Sequence, residues 1–176
     1  LGGPGGIAAD RTPWEKVAPK YDFVTKMAAL NLLVKGAGDR ARFNYWLGTY
    51  RADELMQKAA CARGQLDIAM DHLHSATTEA QKMALLPQAV RLRVTLARAW
   101  EAVIWEEEAT VSTPGGLGTI TNLEQHTRLT NQFLDHYDQE LVKLLGAPLV
   151  VVITKSGFSA RIVSSHRPPV PILALT

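Results

Sequence analysis

The chain changes its pattern of apolar residues near Pro148, and this change limits the folds that it can adopt. Between residues 13 and 147 the apolar residues recur every three or four positions, as in α-helices that bury one face. After Pro148 come two short apolar runs, LVVVIT and PILALT, which are typical of buried strands, and SARIVSSH between them predicts a short helix. The sequence therefore predicts a mainly α fold, a helical bundle of about five helices with a small C-terminal βαβ element of parallel strands.

This pattern divides the chain into three segments. Residues 1–12 are rich in glycine and predict a flexible lead-in, residues 13–147 predict the bundle, and residues 148–176 predict the βαβ unit. The chain begins without Met and stops at the end of a strand, so we expect a fragment or a fusion. Because two parallel strands alone make a poor sheet, we also expect a protein partner or a missing domain to cover the sheet edge.

Turn and capping residues predict where the helices begin and end. Thr12, Pro13 and Glu15 have the spacing of a capping box, in which a Thr side chain and a Glu side chain satisfy free backbone N–H groups. Gly64 predicts the stop of one helix, and Pro87 either starts or kinks another. The longer predicted helices begin at about Tyr21, Asp39, Gln65, Pro87 and Asn122.

Apolar stripes within these helices predict the core. Phe43, Trp46 and Tyr50 share one helix face, which we interpret as core, with sugar stacking as the alternative if the rings are exposed. The remaining predicted stripes are Leu66, Ala69, Met70 and Leu73 in the third helix, Val90, Val94, Ala97, Trp100, Val103 and Ile104 in the fourth, and Leu123, Leu129, Phe133, Tyr137, Leu141 and Leu144 in the fifth.

Charge and cysteine content exclude several functional classes as the default. The formal net charge is +2, with basic and acidic residues interleaved, so we expect neither nucleic acid nor membrane as a partner. The first ten residues lack the pattern of a signal peptide. Cys61 is the sole cysteine, which rules out an internal disulfide, and we interpret it as an inert thiol rather than a nucleophile.

The segment between the first strand and the short helix has the composition of a phosphate-binding turn. Free N–H groups at a helix N-terminus attract an anion, three hydroxyl groups can donate to it, and a glycine allows its close approach. The alternative is an ordinary strand-to-helix turn with a serine cap. The predicted phosphate-binding residues are Thr154, Lys155, Ser156, Gly157 and Ser159.

The C-terminal segment LVVVITKSGFSARIVSSHRPPVPILALT resembles the C-terminal domain of pyruvate kinases. The resemblance implies that the turn from Thr154 to Ser159 contacts a phosphate of a sugar bisphosphate effector. Phe158 departs from the family, where many members carry Arg or another polar residue. The catalytic barrel of that family has no counterpart here, so the resemblance does not imply pyruvate kinase activity.

The helical segment resembles a different family. Several segments are similar to a helical region of large bacterial agarase-like glycoside hydrolases, among them KGAGDRARFNYWLGTYR and ATVSTPGGLGTITNLEQH. The resemblance covers residues 2–148 and implies a non-catalytic scaffold. Polar residues after the glycine-rich TPGGLGT form a possible carbohydrate groove, the alternative being a long loop with capping residues. These groove residues are Asn122, Glu124, Gln125 and His126.

Candidate carboxylates for glycoside hydrolysis exist, but we expect no complete active site in this chain. The candidates are Glu106, Glu107, Glu108, Glu124, Asp135 and Asp138. The acidic run from Glu106 to Glu108 is typical of a solvated helix face rather than of a glycosidase carboxylate pair. His72 and His74 point to different sides of a helix and are unsuited to one metal. We therefore expect no catalytic residue, no metal and no cofactor in this chain.

Three functional hypotheses remain open. The first is a non-catalytic helical scaffold of a carbohydrate-active enzyme, marked by a broad apolar patch left by a missing domain. The second is a regulatory module that binds a sugar phosphate or another anion. The third is an assembly subunit that pairs with another chain through its exposed strands. The predicted ligands are accordingly a sugar phosphate or a polysaccharide.

Overall fold

The computed structural model of the chain describes residues 8–111, 134–146, 150–153 and 171–175. These residues are mainly helical, which confirms the predicted fold class at that level. Two long helices dominate, and residues near the start of the first contact residues near the end of the second, so the pair is antiparallel. The elements are α1 (Trp14–Val17), a 3-10 helix (Ala18–Tyr21), α2 (Asp22–Ala29), a second 3-10 helix (Leu30–Leu33), α3 (Ala37–Ser75), α4 (Glu79–Val111), α5 (described over residues 134–145), β1 (Val150–Ile153) and β2 (Ile172–Leu175).

The predicted stop at Gly64 is wrong, because α3 continues through this residue to Ser75. Gly64 instead allows another segment to approach the helix. A Cβ atom built on Gly64 would lie 2.0 Å from the carbonyl oxygen of Asp10, far inside van der Waals contact. The Asp10 N–H also donates a 3.0 Å hydrogen bond to the Ala60 carbonyl one turn earlier. The helices predicted to begin at Asp39 and at Gln65 are thus one element.

The N-terminal segment, defined here as residues 8–13, is held along α3 by polar contacts. Gln57 Nε2 donates to Asp10 Oδ2 at 2.7 Å, and Gln65 Nε2 donates to the Arg11 carbonyl at 2.8 Å. Arg11 forms an ion pair with Asp71 at 2.6 Å. Residues 8–12 of the predicted lead-in are therefore anchored to the bundle.

The predicted capping box at Thr12 is wrong, since α1 has no side-chain capping hydrogen bond. The Thr12 N–H instead donates to Asp10 Oδ1 at 2.9 Å, which turns the chain before Pro13. A capping box does form at the start of α4. There the Gln81 N–H donates to Thr78 Oγ1 at 3.3 Å and the Thr78 N–H donates to Gln81 Oε1 at 3.2 Å.

Because α4 begins at Glu79, Pro87 lies within it and does not start it. The buried side of α4 also differs in part from the prediction. Trp100 and Val103 are buried as expected, but Val90 and Val94 are exposed. Apolar residues occur on two sides of this helix, and the side with the larger leucines packs inward. The other buried positions are Ala89 and Leu96.

The main core lies where α3, α4 and α5 meet. The predicted α3 stripe is confirmed, because all four of its residues are buried here. Tyr137 and Leu141 bring α5 into the same cluster, as their predicted stripe requires, and Leu144 packs against it. A second cluster around Ala59, Trp100 and Val103 extends the contact between α3 and α4. The buried members of the main core are Ala62, Leu66, Ala69, Met70, Leu73, Ala89, Leu96, Tyr137 and Leu141.

The two C-terminal strands pair in parallel, as predicted, with Val150 opposite Ile172 and Ile153 opposite Leu175. The predicted helix between them lies outside the described residues, so the complete βαβ unit remains a prediction. Within the described part of the chain, no helix is long and apolar enough to span a membrane.

Candidate functional site

Both groups of predicted ligand-binding residues lie outside the described part of the chain. The predicted phosphate-binding residues begin immediately after β1, whose last residue is Ile153. The predicted carbohydrate groove follows α4, which ends at Val111. These residues are Thr154, Lys155, Ser156, Gly157 and Ser159 in the first group and Asn122, Glu124, Gln125 and His126 in the second.

The sheet formed by β1 and β2 presents apolar side chains to solvent. Val151, Leu173 and Leu175 are each about half exposed. Ordinarily, parallel strands are covered on both faces, since their connections run over the sheet. The covering partner for this sheet stays a prediction.

A polar cavity of about 360 Å³ lies between α3 and α5 and is bordered by Arg11. Tyr137 on α5 donates its hydroxyl hydrogen to Asp67 Oδ1 on α3. Burial, followed by this hydrogen bond with Asp67, raises the pKa of the Tyr137 phenol above its ordinary value. Tyr137 therefore stays a neutral donor that links the two helices and is unsuited to act as a base.

His74 makes a second link between α3 and α5. Its Nε2 atom lies 3.1 Å from Glu140 Oε2, and its Nδ1 atom lies 2.8 Å from the Met70 carbonyl oxygen. Both neighbours are acceptors, so both hydrogen bonds form together only when the imidazole is protonated. The side chains around this cavity thus bond to one another, which indicates a structural network between α3 and α5.

The pKa of Glu140 provides a test of this network. The hydrogen bond with His74 is the main cause that lowers this pKa below its ordinary value near 4.5, and Lys143 adds to it. Because the pKa of Glu140 is depressed in the folded state, ionised Glu140 stabilises the folded chain above pH 4.5. This stabilisation is lost as the pH falls through the folded-state pKa of Glu140. We expect His74→Ala to raise the pKa of Glu140, as measured by NMR titration of its carboxyl carbon. His72→Ala is the matched control, and an equal rise in that variant would contradict the assignment.

A second cavity, of about 550 Å³, lies among α1, α3 and α4. Trp14 and Cys61 border it, and Cys61 is a buried free thiol. Burial raises the pKa of the Cys61 thiol, which keeps it protonated and unreactive. The sequence-based interpretation of Cys61 as inert agrees with this environment.

An exposed aromatic face joins α2 and α3, although the sequence analysis considered exposure of its rings only as the alternative. Trp46 is 53% exposed and Tyr50 is 37% exposed, so the prediction that they belong to the core is wrong. Helical spacing indicated that these rings share a face but not whether another element covers it. Tyr50 contacts Phe23 of α2 edge to face with ring centroids 5.4 Å apart, and Tyr45 contacts Trp46 at 5.5 Å.

The described residues offer no metal centre, because no group of three His, Cys, Asp or Glu side chains is placed to hold an ion. His74 is engaged with Met70 and Glu140, as described above.

Comparison with known families supports the C-terminal resemblance. Residues 139–176 match a family model described as pyruvate kinase, alpha/beta domain. The match begins within α5, which lies before the predicted boundary at residue 148. No curated protein and no solved structure gave a significant match to the chain. The resemblance of residues 2–148 to agarase-like enzymes thus has no support from these comparisons.

Proposed function

We propose that the C-terminal unit, from α5 to β2, is a regulatory module that binds a sugar phosphate and is carried on a non-catalytic helical bundle. The parallel pairing of β1 and β2 is the observation that carries this proposal. Ligands of parallel sheets bind beyond the carboxyl ends of the strands. The chain leaves that end of β1 at Ile153 and enters the predicted turn at Thr154.

The composition of the turn supports an anionic ligand. Ser156 and Ser159 supply hydroxyl donors, Lys155 supplies a positive charge, and Gly157 removes the side chain that would keep a phosphate away from the backbone. The family match over residues 139–176 to the pyruvate kinase alpha/beta domain supports the resemblance from which this ligand class is taken.

A protein partner forms part of this proposal. The exposed side chains of Val151, Leu173 and Leu175 favour a covering element supplied by another chain or domain. The proposal that the bundle is a scaffold of a carbohydrate-active enzyme is less well supported. It expects a broad apolar patch left by a missing domain, and no curated protein or solved structure matched the chain to support such an enzyme.

The test is a thermal melt of the full chain with and without fructose 1,6-bisphosphate. A ligand at about 100 times its dissociation constant adds roughly 2.7 kcal/mol to the free energy of unfolding. We expect the bisphosphate to raise the melting temperature, whereas inorganic phosphate and a neutral sugar raise it little. The double variant Lys155→Ala/Ser156→Ala is expected to abolish the rise.

Thr25→Ala/Lys26→Ala is the matched control, because it removes the same kinds of groups from α2. This variant should keep the full response to the bisphosphate. The absence of any bisphosphate-specific rise in the unaltered chain would reject the proposed function. An equal loss of response in the control would show that the effect is one of general charge.

A further inference from the structure

The 3-10 helix after α2 forms an exposed apolar projection, called here the leucine tip and defined as Leu30, Leu32 and Leu33. Leu32 is 94% exposed, Leu33 is 72% exposed and Leu30 is 51% exposed. A side chain that is 94% exposed has almost no neighbours, so the tip is convex and does not line a groove. Exposed leucines grouped in this way mark an interaction surface.

Aromatic residues lie beside the leucine tip. Asn31 within the tip region donates from Nδ2 to Asn44 Oδ1 at 3.3 Å, which fixes the turn against α3. Tyr45 and Trp46 follow directly in sequence, and each is about half exposed. Tyr and Trp have an apolar body and a polar edge, which suits them to the boundary between hydrocarbon and water.

The positive charge of the chain is concentrated on the same region. Residues 23–50 contain four cations and one anion, a formal net charge of +3. The whole chain carries +2, so the remainder carries −1. All four cations are exposed, although Arg42 is ion-paired with Asp39. The Arg40 guanidinium donates to the Val34 carbonyl at 3.2 Å, which holds it beside the tip. The four cations are Lys26, Lys35, Arg40 and Arg42.

We propose that the leucine tip binds the surface of an anionic lipid bilayer. The leucines enter the boundary between headgroups and acyl chains, the aromatic rings lie at headgroup level, and the cations contact anionic headgroups. The convex shape favours a bilayer over an acidic protein helix, because a helix requires a groove to bury its apolar face. The overall charge of +2, which led us to expect no membrane partner, conceals this local concentration.

The test is sedimentation of the full chain with two kinds of vesicle, phosphatidylcholine alone and phosphatidylcholine mixed with phosphatidylserine. We expect binding to the mixed vesicles that weakens as salt is added, since the cations act through screened charges. Leu32→Gln/Leu33→Gln is expected to weaken binding roughly tenfold or more, because it removes the inserted groups. Lys35→Gln is expected to weaken it about fivefold.

Met83→Gln is the matched control, because Met83 is an exposed apolar residue on α4 outside this region. It should bind mixed vesicles as the unaltered chain does, and circular dichroism checks that each variant is folded. The proposal is overturned if the unaltered chain ignores phosphatidylserine, or if the leucine variant binds as tightly as the control. The proposal is also overturned if the chain does not bind vesicles but uses Leu32 and Leu33 to self-associate or to bind an acidic peptide. Either result would identify a different partner for the leucine tip.

Discussion

Leu66→Ala is expected to lower the free energy of unfolding by about 2–5 kcal/mol, the usual cost of removing a large aliphatic side chain from a packed core. Leu66 is 0% exposed and lies in the cluster that joins α3, α4 and α5. The substitution removes buried methyl groups and leaves a cavity among residues of all three helices, which relax only in part. Urea denaturation, followed by the helical signal in circular dichroism, measures the change.

Leu32→Ala is the matched control for this core substitution. Leu32 has the same side chain but is 94% exposed, so its replacement should change the free energy of unfolding by less than about 0.5 kcal/mol. Similar losses in the two variants would contradict the core that we describe. The control also establishes that the leucine tip can be altered without unfolding the chain.

Gly64→Ala is expected to lower the free energy of unfolding by about 1–3 kcal/mol and to detach the N-terminal segment from α3. The new methyl group would lie 2.0 Å from the Asp10 oxygen and 2.3 Å from its carbonyl carbon. These are backbone atoms, so a side-chain rotation cannot relieve the clash. The hydrogen bond from the Asp10 N–H to Ala60 is then lost, and hydrogen exchange at Asp10 should become faster.

Gly38→Ala is the control, and we expect it to leave the free energy of unfolding unchanged or to raise it. Gly38 lies in the first turn of α3, and a Cβ atom added there meets no atom within 4 Å. Because alanine favours helix over glycine by up to about 1 kcal/mol, this variant should be as stable as the unaltered chain or more so. If Gly64→Ala behaved in the same way, the close approach of Asp10 to α3 would be refuted.

The sequence predicted features that depend on local pattern. The stripe of Leu66, Ala69, Met70 and Leu73 is buried as predicted, because its large residues fall on one side of α3. The branched run around Val152 predicted a strand, and β1 pairs with β2 in parallel as expected. In the first case the helical period identifies the buried face, and in the second the unbroken apolar runs identify the strands.

Features that depend on distant contacts were beyond such reasoning. A glycine that stops a helix and one that admits a neighbouring segment look alike in sequence, and the neighbour of Gly64 is Asp10, far away along the chain. Likewise, the spacing of Trp46 and Tyr50 gave their shared face but not its exposure. The phosphate turn remains a prediction from composition and resemblance, since Thr154 and the residues after it lie outside the described part.

The position of α5 limits how the chain can be divided. The family match begins at residue 139, within α5, yet Leu141 is buried in the core with Leu66 and Leu73. A cut at residue 139 would therefore take Leu141 from the bundle and open its interior to water, while the released piece would begin with an uncovered helical face. The bundle and the C-terminal unit share α5, so the residues of this helix must meet the packing requirements of both parts.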